Sequence, residues 1–575
     1  MVEHRTSPSD DRAQPVESAR SAPWGLPAGA TTRARRYAAG LDRIGLFTAV
    51  LFFLQSLAPS LLPRDWVVQA IVSGIGLFGG YGVGVAVSWT VRILRVPSPP
   101  DRVRAGIWRA LGVLSAVTIP VFLWMSATWQ SEIRHAVGME GARRHHYVCV
   151  LLLSALIAAA LLETARGLRW LWRILDRRIR RLLPPVVSGT IAAVVVAAAV
   201  VAVMNDVVAA EVRRVAESTF SASDELTAPD VVRPTSAYRS GAPGSLVPWD
   251  TLGKDGRTFV GTGPTAHDIT ALTGRPAVEP VRVYVGRASA GTPQERADLV
   301  VAELRRTHAD RRAVLAVAGT TGRGWIPPGS VDPLEYTSSG DTAVAAMQYS
   351  YFPSWVSFLV DSSVSQDAGR VLFDTVHAYW ASLPAGRRPK LVVFGSSLGA
   401  FGTMSAFDSI RDIATRTDAA LFIGPPHSTD LWRSIVAHRV PGSPEVLPVI
   451  GDGREVRFFS RASDLRDPDG TLGHPRIAIA QHGSDAIVWW SPTLIWRRPD
   501  WLREPRARDV SRSMRWFPWV TFWQLTTDQM VSTKAPPGYG HNYGPELITG
   551  WLALLHPPDW TTADTRKLTE RMLAE

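Results

Sequence analysis

The residues with the clearest chemical potential lie in Leu391–Ala400, LVVFGSSLGA. A serine flanked by glycine two residues before and two after can stand on a sharp strand-to-helix turn. Only Ser397 has glycine at both positions, so the register selects it over Ser396. A helix beginning at Leu398 would bring backbone N–H groups and a positive dipole end to a developing oxyanion. A hydroxyl is a weak nucleophile until a base takes its proton and an acid orients that base. In serine hydrolases built on this turn, the acid follows the nucleophile in the chain and the histidine comes last. Asp485, just past the apolar run RIAIAQH in a Gly-Ser-Asp turn, is the candidate acid. Asp452 and Asp464 are rivals, but both lie beside turns that use aspartate for structural reasons. His541, in the Gly/Pro/Tyr-rich stretch KAPPGYGHNYGPE, is the candidate base. The alternatives are His427, His474, His482 and His556, of which the first two come too early in the usual order.

An oxyanion hole needs two donors. Leu398 N–H is one candidate, and Thr320 or Thr321, in the glycine-rich turn TTGRGW, supplies the other. That turn lacks the Gly-Lys-Ser/Thr ending and the G-x-G-x-x-G spacing of nucleotide loops. No His/Cys/Asp cluster has metal-ligand spacing, and RRHHY at 143–147 reads as an interfacial segment. The single cysteine, Cys149, sits in an apolar run and excludes an intrachain disulfide. No cofactor, metal or nucleotide is therefore expected.

Several elements must position these residues. Apolar runs at 281–286, 313–319, 344–351, 391–395, 419–424, 455–460, 476–482 and 520–525 read as strands, with helical patterns between them. Near-continuous apolar strands alternating with helices predict a mostly parallel sheet covered on both faces. The expectation is an α/β-hydrolase domain over 236–575. Trp489, Trp490, Trp496, Trp501, Trp516, Trp519 and Trp523 fall between the candidate acid and base, and could form a lipid-facing rim.

The first third differs. Residues 1–40 are rich in Ser, Pro, Ala and Arg and read as a disordered cytoplasmic tail. Five apolar segments follow, about Ile44–Leu62, Trp66–Val91, Ala110–Trp129, Tyr147–Leu162 and Val186–Met204. Each approaches the ~20 residues that cross a bilayer, which predicts an all-α five-helix transmembrane domain over 41–205. A juxtamembrane linker over 206–235 joins it to the hydrolase domain. Arginines before the first segment, from Arg92 to Arg109 and from Arg166 to Arg181 fall on one side. Placing that side in the cytoplasm leaves the C-terminal domain outside. The net charge of +11 is then explained by membrane orientation and not by nucleic-acid binding.

The chain resembles a family of bacterial membrane-anchored α/β-hydrolases with an N-terminal multi-span domain. SLAPSLLPRDW and QAIVSGIG carry the likeness in the membrane part. RTFVGTGPT, QYSYFPSWVSFLVD, FGSSLGA, GPPHSTDLW, QHGSDAIVWWSP, DWLREPRARDV and GYGHNYG carry it in the remainder. Ser396 departs from the pattern, which has Glu there. The resemblance implies a serine hydrolase with Ser397, Asp485 and His541 as nucleophile, acid and base. It also suggests a membrane-lipid ester as substrate, as in aminoacyl-phosphatidylglycerol hydrolases. A cationic aminoacyl group would call for an acidic pocket wall, with Asp341 and Asp361 as candidates. Two alternatives are an envelope acyltransferase using the same triad and a non-catalytic scaffold.

Overall fold

The computed structural model describes residues 40–140, 146–203, 214, 220–221, 223–353, 356–357, 362–466 and 473–574. The expected tail, most of the RRHHY segment, part of the linker and Asp361 lie outside the described residues.

The N-terminal part is helical: α1 (Arg43–Ser56), α2 (Trp66–Ile93), α3 (Asp101–Ala136), α4 (Tyr147–Ile179) and α5 (Pro185–Ala202). Four of them, α2 to α5, are long and apolar enough to cross a membrane. The expected count of five is thus corrected to four. Helix α1 has only 14 residues, about 21 Å at ~1.5 Å per residue against the ~30 Å of a hydrocarbon core. The apolar run continues past Ser56, but Pro59 and Pro63 end the helix. Leu57, Leu61 and Leu62 are instead buried in a non-helical turn beneath the second domain. Small residues let these helices approach closely. A side chain at Gly80 would meet the Thr48 carbonyl at 2.6 Å, and one at Gly74 would meet Ile157 at 2.7 Å. Ser56 and Ser73 share a hydroxyl hydrogen bond of 2.8 Å across the α1–α2 contact.

The second domain contains α6 (Gly253–Thr262), α7 (Ala266–Thr273), β1 (Val281–Val285), α8 (Pro293–Arg306), β2 (Val314–Gly319), α9 (Pro328–Thr337), β3 (Thr342–Met347), α10 (Ser363–Ser382) and β4 (Lys390–Ser396). It continues through α11 (Leu398–Met404), α12 (Ile410–Arg416), β5 (Ala419–Ile423), α13 (Asp430–Ala437), β6 (Val456–Phe459), β7 (Ile477–Ala480), α14 (Ala486–Trp489), α15 (Val520–Ser532), α16 (Glu546–Leu555) and α17 (Thr562–Ala574). The seven strands form one sheet in the order β1-β3-β2-β4-β5-β7-β6. Every neighbouring pair is parallel. Residues of β1, β3, β5, β6 and β7 are buried throughout, as expected of a sheet covered on both faces.

One expected strand is wrong. VTFWQL begins helix α15, with Val520, Thr521, Gln524, Leu525 and Asp528 buried along one side. That spacing is helical, but three of these five buried positions are polar, so an apolar count reads it as alternation. The polar side faces the membrane domain. Gln524 donates to the Ala58 carbonyl at 3.0 Å, and Leu61 N–H donates to Asp528 Oδ2 at 3.0 Å. Arg64 Nε lies 3.2 Å from Asp528 Oδ1 with both side chains fully buried.

These contacts fix how the helices run. The start of α2 lies under the hydrolase domain, and at its other end Arg92 pairs with Asp42. Helix α3 ends at the hydrolase domain, where Ser511 donates to Glu132 at 2.8 Å. The ring of His146, before α4, packs edge-on against Trp66. The arginine-rich connections therefore lie at the far end of the bundle. The tryptophans divide: Trp489 and Trp501 are buried, Trp519 reaches within 3.5 Å of the Ile75 carbonyl, and Trp496 is 66% exposed.

Candidate active site

Strand β4 is the central strand, and the chain turns sharply where it ends. Ser397 has φ 56° and ψ −122°, a backbone region that non-glycine residues seldom occupy. Holding such a conformation costs about 1–3 kcal/mol and requires a supporting frame. Ser397 N–H donates to the Ile423 carbonyl at 2.8 Å, and its own carbonyl accepts from Phe401 in α11 at 3.0 Å. The flanking glycines answer a close approach. A side chain on Gly395 would sit 2.5 Å from the Gly399 backbone, and one on Gly399 would sit 2.2 Å from the Gly319 carbonyl.

Asp485 follows β7 and is completely buried. Its Oδ1 accepts from Ile487 N–H at 2.9 Å, which caps α14 and fixes the carboxylate plane. Its Oδ2 accepts twice, from His541 Nδ1 at 2.7 Å and from the Tyr543 hydroxyl at 2.8 Å. His541 N–H is bonded to the Ser532 carbonyl at the end of α15. The imidazole lies across Gly424, where a side chain would fall 2.7 Å from His541 Cε1. Gly424 directly follows Ile423, the residue bonded to Ser397 N–H. The ring thus comes to the same end of the sheet as the serine. His541 Nε2 is buried and has no hydrogen-bond partner among the described residues.

The other candidates have structural employment. His482 is fully buried, with Nδ1 2.9 Å from the Gly540 carbonyl, Nε2 3.2 Å from Glu546 and its ring stacked on Tyr543. Burial alone would lower its pKa, but Glu546, the Asp509 charge and the Gly540 carbonyl together raise it. Burial, then the Arg433 charge, lowers His427 to about 4, which keeps it neutral beside Trp432. The rings of His474 and His556 lie against each other at a tilt of 38°, and His474 precedes β7 at the opposite end of the sheet. Asp464 accepts from Ser460 and Arg461 N–H, and Asp452 from Arg454 N–H, so both serve turns. Asp341 precedes β3, also at the opposite end from Ser397, 4.0 Å from Arg312. It cannot form an acidic wall for the site.

Leu398 is the first residue of α11, next to Ser397. Of the two threonines, Thr321 donates its N–H to the Trp325 carbonyl at 3.0 Å and is committed within its own loop. Thr320 is anchored by its hydroxyl to the Met347 carbonyl at 2.9 Å, beside the Gly319–Gly399 contact. It is the better placed of the pair.

Reading residue types alone missed Tyr543 and Gly424. The signal for Tyr543 was its spacing two residues after His541 in GYGHNYG. Burial, then the Asp485 charge, pushes its hydroxyl well above the ordinary value, so it remains a donor. Tyr543→Phe should lower kcat about tenfold, the loss of one charge-assisted hydrogen bond of roughly 1.5 kcal/mol. Steady-state kinetics on a soluble ester would register it, and an unchanged kcat would remove Tyr543 from the positioning of Asp485.

A parallel seven-stranded sheet with a serine at positive φ after its central strand, and a buried Asp–His pair at the same edge, defines the α/β-hydrolase class. The family model described as "Alpha/beta-hydrolase family" matches residues 281–568, and "Alpha/beta-hydrolase family N-terminus" matches 57–264. The chain belongs to this α/β-hydrolase family. No curated protein and no solved structure matched it.

Proposed function

We propose that the protein is a membrane-bound serine hydrolase that cleaves a carboxylic ester of a membrane lipid. The observation that carries this is His541: Nδ1 is held by Asp485 at 2.7 Å while Nε2 is buried without a partner at the sheet edge where Ser397 stands. Ser397 attacks the ester carbonyl while His541 Nε2 takes the hydroxyl proton. Asp485 stabilises the imidazolium, and the N–H groups of Leu398 and Thr320 receive the oxyanion. The imidazolium then protonates the leaving alcohol. Water, deprotonated by the same nitrogen, releases the acid from the acyl-enzyme.

A lipid substrate is supported by the seat of the base. His541 lies in a loop packed against the membrane domain, with Leu62 within 3.5 Å of the side-chain position of Gly540. Aminoacyl-phosphatidylglycerol is the lipid ester that the family resemblance suggests. The arginine-rich connections lie at the far end of the helices, which under the positive-inside rule supports a cytoplasmic position for them and a catalytic domain outside the plasma membrane.

A fluorophosphonate probe should label the wild type, and Ser397→Ala should abolish labelling without lowering expression. An unlabelled wild type would overturn the serine-hydrolase reading. Lipid extracts from cells producing only the Ser397→Ala protein should accumulate the ester cleaved.

A further inference from the structure

The residues between β7 and Asp485 grip the loop of His541 at more than one point. The Gly540 peptide, directly before His541, is held on both sides. Its N–H donates to Ser484 Oγ at 2.9 Å, and its carbonyl accepts from His482 Nδ1 at 2.9 Å. Ser484 in turn donates its N–H and its hydroxyl to Asp509 Oδ2, at 2.8 and 2.7 Å. Gly483 lets these segments meet, since a side chain there would stand 2.7 Å from Asp509 Oδ1. The His482 ring lies nearly flat on Tyr543, with centroids 4.2 Å apart and planes at 15°. Tyr543 is itself a donor to Asp485.

The other nitrogen fixes the charge of the ring. Nε2 stands 3.2 Å from Glu546 Oε1, at the start of α16. A carbonyl and a carboxylate only accept, so the ring serves both partners only as an imidazolium with a proton on each nitrogen. The groups that face it are Glu546 from α16, Asp509 from the segment before α15, and Tyr543, which packs against both His482 and His541. Burial opposes the charge, yet Glu546, then Asp509 and the Gly540 carbonyl, raise the pKa above the ordinary histidine value. A neutral ring has no good arrangement here. With its proton on Nδ1, a lone pair on Nε2 faces the carboxylate. With its proton on Nε2, a lone pair on Nδ1 faces the Gly540 carbonyl.

We infer that His482, as an imidazolium paired with Glu546, is a positioning residue for His541, and that loss of one of its two ring protons slackens the hold on the base and lowers turnover at alkaline pH. This rests on Ser397, Asp485 and His541 being the triad of the proposed hydrolase. It does not depend on which ester they cleave.

The test is the pH profile of 4-nitrophenyl butyrate hydrolysis by the full chain in detergent, with thermal unfolding followed over the same range. Wild-type kcat should rise as His541 loses its proton and fall again as His482 loses one. KM should stay nearly constant, because the clamp holds the base and not the substrate. Glu546→Gln removes the carboxylate that favours the charged ring, so the alkaline fall should begin about one pH unit lower or more. His482→Gln should lower kcat about tenfold, for one hydrogen bond lost beside the base, and abolish the alkaline fall. Stability should follow the same proton. With the folded pKa raised, the contribution of His482 is complete below the ordinary value of ~6.5 and is lost as pH rises through the raised one. The gap in melting temperature between wild type and His482→Gln should therefore shrink as pH rises. In an enzyme that turns over and takes a fluorophosphonate, an alkaline fall unmoved by Glu546→Gln, or a gap constant with pH, would overturn the role of His482 alone. A wild type that neither labels nor hydrolyses the ester would overturn the triad, and the role of His482 with it.

Discussion

Asp485→Asn should lower kcat by about 10⁴-fold while leaving the fold intact. The size of the effect follows from the three donors that converge on this carboxylate. Ile487 N–H points at Oδ1, and His541 Nδ1 and the Tyr543 hydroxyl point at Oδ2. An amide has only one acceptor oxygen. If it faces Ile487, the NH₂ group meets His541 and forces Nδ1 to accept. The imidazole proton then sits on Nε2, the atom that must take the serine proton. If the amide is flipped, its NH₂ opposes the Ile487 N–H and loosens the cap of α14. Kinetics on a short-chain ester, alongside thermal unfolding, separates chemistry from stability. A kcat within tenfold of wild type, at unchanged stability, would show that Asp485 is not the partner of the base.

The second large effect concerns stability. Asp528→Ala should destabilise the protein by about 3–5 kcal/mol, because it strands the Arg64 guanidinium in a fully buried site. Three losses coincide: the ion pair at 3.2 Å, the acceptor for Leu61 N–H at 3.0 Å and the packing of α15 on the turn after α1. Replacing both partners with apolar residues, Arg64→Met with Asp528→Leu, should recover most of the loss, since no charge is then left buried. Tryptophan fluorescence during denaturation in detergent reads both variants. A single-variant loss below about 1 kcal/mol, the scale of solvent-exposed pairs, would show that the site is hydrated.

Much of this was legible in the sequence, and the reasons are physical. Buried parallel strands must be apolar on both faces, so seven of the eight expected strands stand out as short continuous runs and pair in one sheet. The turn at Ser397 is legible because only glycine fits at Gly395 and Gly399, where backbones approach within side-chain distance. Asp485 and His541 could be ranked because chain order limits the choices. The failures arose where burial and hydrophobicity part company. Helix α15 buries Gln524 and Asp528 against a carbonyl and an arginine of the other domain, and no periodicity count anticipates that partner. Ile44–Leu62 is apolar throughout most of its length, but its last third is buried as a turn and not as helix. Asp341 is a candidate by charge alone, and its position before β3 puts it at the opposite end of the sheet from Ser397.

The loop that carries His541 starts from α15 and rests on Leu62. An anchor can be exchanged for any other hydrophobic segment without harm to the enzyme it holds. A supporting wall cannot. Cutting the chain before residue 236 would remove the floor under the imidazole and lay bare Gln524 and Asp528, whose partners lie in the discarded half. The membrane helices are therefore part of the frame of the second domain, and grafting the C-terminal portion onto a foreign membrane segment would separate His541 from its foundation.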